Sequence, residues 1–174
     1  MTNELISRSE FRFRKRLGTR DEIGVLKTHR KRSIEHGNEV FICFVDFEKS
    51  FDRVNWVKIL EALKRIGVDW KDRRMIPELY MNQEPIIRVA NGESDSGIIG
   101  RGVRQGCPIS PLLFSIYAEM MMIEAMEQVE DGVKVGGEIV KDVLFANDQA
   151  MIANSEDGLQ RQMDSLVKTA NDCI

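Results

Sequence analysis

Short apolar runs alternate along the chain with stretches where apolar residues recur every three or four positions, the two periods of strand and helix. Val40-Phe41-Ile42-Cys43-Phe44-Val45, rich in β-branched and aromatic residues, predicts a buried strand over 40–47. Asn55 can cap a helix whose apolar stripe is Trp56, Ile59, Leu60 and Leu63, with Gly67 just past its end. Residues 86–90, the turn signal Asn91-Gly92 and residues 97–103 predict a hairpin. Ser110 as N-cap and Pro111 as first helical residue open a helix that runs through Leu113, Ile116, Met120, Ile123 and Met126 to about residue 129. A second hairpin is predicted with residues 140–146 and 149–153 flanking Asn147-Asp148. A last amphipathic helix carries Leu159, Met163, Leu166, Val167 and Ala170, and residues 20–36 read as a polar helix. Hairpins with helices between them argue for an α+β fold. Strand 40–47 and the hairpin around Asn147-Asp148 are expected in one antiparallel sheet, with helices 55–66 and 110–129 on one face.

Composition narrows the class. The 174 residues suit one ordinary domain, and 43% hydrophobic with 30% charged residues exclude wholesale disorder. No apolar run approaches the roughly 20 residues of a membrane span, and residues 1–8 lack the apolar core of a signal peptide. Cys43, Cys107 and Cys173 are too few and too far apart for a disulfide framework or a zinc pattern, so a reducing intracellular setting, nucleus or cytoplasm, is expected. The net charge of −3 conceals an asymmetry: residues 1–32 hold ten Lys/Arg against four acids, and the rest fifteen against twenty-four. Such a basic end fits either a polyanion partner or a solvated helix surface.

Three segments carry candidate chemistry. Asp46 sits in the otherwise apolar Phe44-Val45-Asp46-Phe47, and a carboxylate in such a strand is paired, protonated, metal-bound or at the strand's wet end. Arg104-Gln105-Gly106-Cys107-Pro108-Ile109-Ser110-Pro111 builds a rigid loop whose backbone can approach a flat ligand, or simply a well-capped helix start. Asn147-Asp148, between two apolar strands, either forms a turn or brings a carboxylate beside that of another strand, as a two-metal site requires.

Together these segments resemble the reverse-transcriptase domain of non-LTR (LINE-type) retrotransposons. Residues 11–21 resemble its fingers motif, residues 44–52 its first palm motif, residues 102–111 its second palm motif almost residue for residue, and Phe145-Ala146-Asn147-Asp148 its third. The resemblance implies a polymerase palm-like antiparallel sheet with helices on one face, plus part of the fingers. Residues 1–38 would be a partial fingers segment, and 39–174 a palm lacking its C-terminal part and thumb. It implies an RNA-directed DNA polymerase with an RNA template, a DNA primer and deoxynucleoside triphosphates as partners, and with Mg²⁺ as cofactor, two ions expected and Mn²⁺ as the alternative. Asp46, the Phe47 carbonyl and Asp148 would bind metal, with Asp46, Asp148 and Asn147 in the catalytic positions. Phe51 would be the gate beneath the incoming sugar, Gln105 and Gly106 would contact nucleotide and template, and Arg14 would lie in the fingers.

The departures from the family pattern carry their own expectations. Asn147 stands where the family has the first Asp of its third motif, which removes one negative charge from the site. Arg12 and Arg16 stand where the family commonly has glycine. With the sequence stopping at Ile174, the chain is expected to be a truncated copy or a fragment of a longer reading frame, impaired in catalysis. The alternative is a non-catalytic remnant that at most binds nucleic acid.

Overall fold

The computed structural model describes residues 39–81, 83–89, 92–95, 97–135, 138–145 and 148–173. The predicted helix 20–36 and the basic residues of 1–32 lie outside them. Strand β1 (Phe41–Asp46) pairs antiparallel with β7 (Asp148–Ala153), which pairs on its other side with β6 (Asp142–Phe145), so β7 is the central strand. Phe41 lies opposite Ala153, Phe44 opposite Ala150 and Asp46 opposite Asp148. Burial alternates along β1, with Phe41, Cys43 and Val45 inward and Ile42 and Phe44 outward. Ala150, Met151, Ile152 and Ala153 of β7 are all buried, so successive side chains of this central strand are covered on both faces.

Helices cover one face of this sheet. Helix α5 (Glu156–Cys173) lies against β1 and β7, and α4 (Ser110–Met126) packs along α5. Helix α1 (Trp56–Arg65) packs on α4 rather than directly on the sheet, which corrects the expectation that helices 55–66 and 110–129 would be the covering pair. Polar bonds join α5 to its neighbours. Buried Gln162 donates from Nε2 to the Ile152 carbonyl (3.1 Å) and the Asp131 carbonyl (2.9 Å), and Ser165 Oγ donates to the Ala125 carbonyl (2.6 Å). The core is continuous across these layers, through Ile59 and Leu63 of α1, Leu113, Phe114, Tyr117 and Met121 of α4, Met151 of β7 and Leu166 of α5.

Several local expectations hold and several need correction. Asn55 caps α1 as predicted: Oδ1 accepts from the backbone N–H of Val57 (3.0 Å) and Lys58 (3.4 Å). Between α1 and the hairpin stand two unpredicted short helices, α2 (Trp70–Arg73), capped by Asp69, and α3 (Met75–Tyr80). The hairpin after them is only β2 (Arg88–Val89) with β3 (Gly92–Glu93). Residues 97–103 form no strand. Their last backbone donors turn elsewhere, Gly102 N–H to the Val54 carbonyl (2.8 Å) and Val103 N–H to the Phe51 carbonyl (2.8 Å).

Helix α4 has Ile109 at its N-cap, so Ser110 and Pro111 each sit one position later than predicted. The Ser110 hydroxyl is fully buried and engaged with the Tyr80 hydroxyl at 3.0 Å, which leaves it no capping role. Val140 belongs to a separate hairpin, β4 (Val133–Val135) with β5 (Glu138–Val140), rather than to the strand that leads to Asn147.

Candidate active site

The site begins where β1 ends. Asp46 is the last strand residue and is exposed, and its ladder partner on β7 is Asp148. Directly opposite positions of an antiparallel pair stand about 4.5–5.5 Å apart at Cβ and share a face of the sheet. The register thus sets these two acidic positions opposite each other in the backbone. Asn147 and Arg14 lie outside the described residues. Among the described residues no group of three or more His, Cys, Asp or Glu side chains is gathered closely enough to hold a metal ion.

Past Asp46 the chain turns sharply. Lys49 adopts a left-handed conformation (φ 52°, ψ 41°), uncommon for a residue with a side chain, and leads into a 3₁₀ turn over Ser50–Arg53. Asp46, Phe47 and Ser50 thereby line a cavity of about 260 Å³, walled by Phe114 and Tyr117 of α4 and by Asn171 of α5. Burial pushes the Tyr117 hydroxyl pKa up to about 12. Tyr117 thus stays a proton donor, and it donates to the Cys173 carbonyl at 3.1 Å.

Phe51 is half-buried, its ring packed on Phe114 with centroids 5.3 Å apart and planes at 52°. The turn that carries Phe51 is stapled to the loop that carries Gln105 and Gly106. Besides the two backbone bonds from Gly102 and Val103, the Trp56 indole N–H donates to the Gly102 carbonyl at 2.7 Å. Gly102 has φ +96°, and a Cβ there would stand 3.0 Å from the Asp52 carbonyl oxygen. Two and three residues beyond Val103, Gln105 and Gly106 form an exposed turn, Gly106 with φ +83°. Arg104 anchors that turn to α3, its guanidinium donating to the Leu79 carbonyl (3.0 Å) and to Gln83 Oε1 (3.1 Å).

Trp56 and Tyr80 are site-shaping residues that the sequence does not announce, and Gly102 and Arg104 were legible only as members of the 102–111 segment, not by these bonds. Trp56 counted as part of an apolar stripe, and its indole partner lies 46 residues further along the chain. The β4–β5 hairpin had a usable signal in Val133-Lys134-Val135-Gly136-Gly137, alternation followed by a Gly-Gly turn pair.

Comparison with known proteins fits this arrangement. The family described as reverse transcriptase (RNA-dependent DNA polymerase) matches residues 1–173. The retrovirus-related Pol polyprotein of the type-1 retrotransposable element R2 from Nasonia vitripennis is 32% identical over 124 residues, 71% of this chain and 12% of that protein. Its counterpart from element R2DM of Drosophila melanogaster is 25% identical over 147 residues, 84% of this chain and 14% of that one. The chain thus spans only a small part of the curated relatives it matches. Among solved structures, a Candida albicans telomerase in complex with a fragment of telomeric RNA superposes with a TM-score of 0.68 at 12% identity, over 95% of this chain and 29% of that one. An apo telomerase from Candida tropicalis gives a TM-score of 0.64 at 16% identity, over 94% of this chain and 34% of that one. At these identities the two telomerases speak to the fold alone.

Proposed function

Because the chain belongs to the reverse transcriptase (RNA-dependent DNA polymerase) family, as a domain of a non-LTR retrotransposon, we propose that it serves RNA-templated addition of deoxynucleotides to a DNA primer 3′-hydroxyl. The single observation that carries the proposal is the register of Asp46 opposite Asp148 at the open end of β1. Two acidic positions facing each other across a ladder repel when nothing lies between them, and such an arrangement suits a bound cation. The family works with divalent ions. Carboxylates at these two positions with the Phe47 carbonyl would supply the all-oxygen donors that Mg²⁺ prefers, and Mn²⁺ takes the same donors. Asp46, the Phe47 carbonyl and Asp148 would hold the ions, two by our reading, which when bound lower the primer hydroxyl's pKa and neutralise charge on the leaving phosphates.

The remaining roles belong to the chain's own groups. Phe51, held at its height by Phe114 and by the staple to Gly102 and Val103, would set the floor under the incoming sugar and disfavour a 2′-hydroxyl. Gln105 and Gly106 would present an exposed turn to the nucleotide and template, and Arg14 would neutralise phosphate from the fingers. We place the protein inside the cell, in nucleus or cytoplasm, and read residues 1–38 as part of the fingers and 39–174 as palm. Asn147 favours a second reading, a remnant that binds nucleic acid without catalysis, because an amide brings no charge where the family has a carboxylate.

Mg²⁺-dependent primer extension on an RNA template tests both. The chain alone, or fused to a homologous thumb, is expected to extend poorly, and Asn147→Asp is expected to raise the rate by roughly a hundredfold to a thousandfold. Asp46→Ala in the repaired protein is expected to abolish extension. Equal rates with and without Asn147→Asp overturn the impairment, and activity that survives Asp46→Ala overturns the site.

A further inference from the structure

One surface outside this site has its own chemistry. From the end of α1 to the start of α3, residues 64–74 carry Lys64, Arg65, Lys71, Arg73 and Arg74 against Asp69 and Asp72, a net of +3 in eleven residues. Residues 33–174 as a whole carry −9, so the other 131 residues of that body carry −12. A cationic island on an acidic body is not what an evenly solvated surface produces. Among the described residues, Lys64, Arg65, Lys71 and Arg73 make no ion pair, and Arg74 reaches Glu78 only at 4.0 Å, with both side chains largely exposed. At the island's centre Trp70, one of the chain's two tryptophans, is 58% exposed. It is held in place twice: Asp69 caps the turn it opens, and the Arg74 guanidinium lies 5.3 Å from the centre of its ring.

We propose that Lys64, Arg65, Trp70, Lys71, Arg73 and Arg74 form a binding surface for single-stranded RNA, separate from the catalytic cleft. The cations neutralise successive phosphates and the indole stacks a base, the pairing of groups by which proteins hold single strands. An anionic protein partner would use the charge but would leave the exposed, pre-oriented indole without a role. The choice of RNA over other polyanions rests on the polymerase function proposed above. Lys64 and Arg65 stand at the opposite end of α1 from Trp56, roughly 12–14 Å along the helix. The surface therefore suits a strand running past the catalytic site rather than the nucleotide within it.

The test is binding of a fluorescein-labelled 20-nucleotide single-stranded RNA by the full chain, followed by anisotropy between 50 and 300 mM KCl, without metal or nucleotide. The basic residues of 1–32 remain in every variant, so each loss reports on this surface alone. Replacing Lys64, Arg65 and Lys71 together by Gln is expected to lower the salt slope by about 2, and to weaken binding on the order of a hundredfold at 0.1 M salt. Trp70→Ala is expected to weaken binding roughly fivefold to a hundredfold with the slope unchanged, and Trp70→Phe to recover most of it. All four side chains are exposed, so circular dichroism should report a native fold throughout. An unchanged slope in the triple variant overturns the proposal. So does unchanged affinity in folded Trp70→Ala, or a loss of heparin binding by Trp70→Ala as large as its loss of RNA binding. Because no chemistry is measured, either result leaves the primer-extension test standing on its own, and failed extension leaves this one standing.

Discussion

Gly102 offers the most direct test of the staple that joins the turn after β1 to the loop carrying Gln105 and Gly106. Its φ of +96° is a conformation that side-chain-bearing residues rarely adopt. A methyl group added there would stand 3.0 Å from the Asp52 carbonyl oxygen and 3.1 Å from both Asp52 Cα and the Phe51 carbonyl oxygen. All three are backbone atoms, so the neighbour cannot swing away as a side-chain tip would. The left-handed backbone costs an alanine about 1–2 kcal/mol, and crowding into packed backbone adds roughly 1–3. Gly102→Ala is therefore expected to lose about 2–5 kcal/mol. Gly106 separates the two contributions: its φ is +83° with nothing within 4 Å of the added methyl, so Gly106→Ala should lose only about 1–2 kcal/mol. Gly100 has neither feature, and Gly100→Ala should be neutral or slightly stabilising, by up to about 1 kcal/mol. Urea unfolding followed by circular dichroism measures all three, with Trp56 fluorescence reporting whether its bond to the Gly102 carbonyl survives. A Gly102→Ala loss no larger than that of Gly106→Ala would refute the contact with Asp52, and with it the claim that Phe51 is held at a fixed height.

Tyr80→Phe should destabilise by about 1–3 kcal/mol, because it strands the fully buried Ser110 hydroxyl, and urea melts read this directly. Backbone N–H donation from Ile109 at the head of α4 holds the Cys107 thiol below its ordinary range, while burial pushes the Cys173 thiol up. Iodoacetamide labelling mapped by mass spectrometry should show Cys107 half-maximal below the usual thiol pKa of about 8.5 and Cys173 far slower; the reverse order would refute it. Hydrogen bonds from Arg161 hold the Asp131 carboxyl below its usual pKa. A depressed carboxyl contributes stability above its unfolded pKa of about 3.9, and that contribution fades as pH falls through the lower folded value. Arg161→Gln should therefore cost stability at pH 6 and converge with the wild type near pH 2–3 in urea midpoints.

Elements whose stabilising partners are local could be read from the sequence. The run 40–45 needed only its own β-branched and aromatic residues, and Asn55 capped α1 with an oxygen two and three residues away. The failures share one cause, a partner far along the chain. Residues 97–103 have apolar positions suited to a strand, but Gly102 and Val103 find their acceptors in the turn after β1, some fifty residues earlier. Ser110 has the right chemistry for a cap, yet its hydroxyl is drawn inward by Tyr80, thirty residues away. Helix α5 rather than α1 lies on the sheet, and buried Gln162 bonds there to the Ile152 carbonyl of β7, a polar contact that hydrophobic patterning does not register. The candidate site divides the same way. Asp46 and Asp148 could be set near each other because one lies near the end of the predicted strand 40–47 and the other in the turn just before 149–153, whereas the staple through Trp56 was visible only in three dimensions.

The register also limits how much the amide at position 147 can damage. Asp46 faces position 148 directly, so the cross-strand acidic pair survives the replacement of the residue before it. On the proposed reading, a carboxylate at 147 would add negative charge to a site whose first two acidic positions already face each other in the register. Removing one contributor to an electrostatic site lowers the rate by two or three orders of magnitude, on the order of 3–4 kcal/mol, and leaves the remainder in place. Removing Asp46 breaks the pair itself. Asn147 should therefore act on rate more than on the ability to hold the ion, with metal affinity falling much further for Asp46→Ala than it rises for Asn147→Asp. Mn²⁺ binding followed by electron paramagnetic resonance separates the two without any turnover. A gain in Mn²⁺ affinity from Asn147→Asp equal to the loss from Asp46→Ala would mean that the pair across β1 and β7 is not where the ion sits.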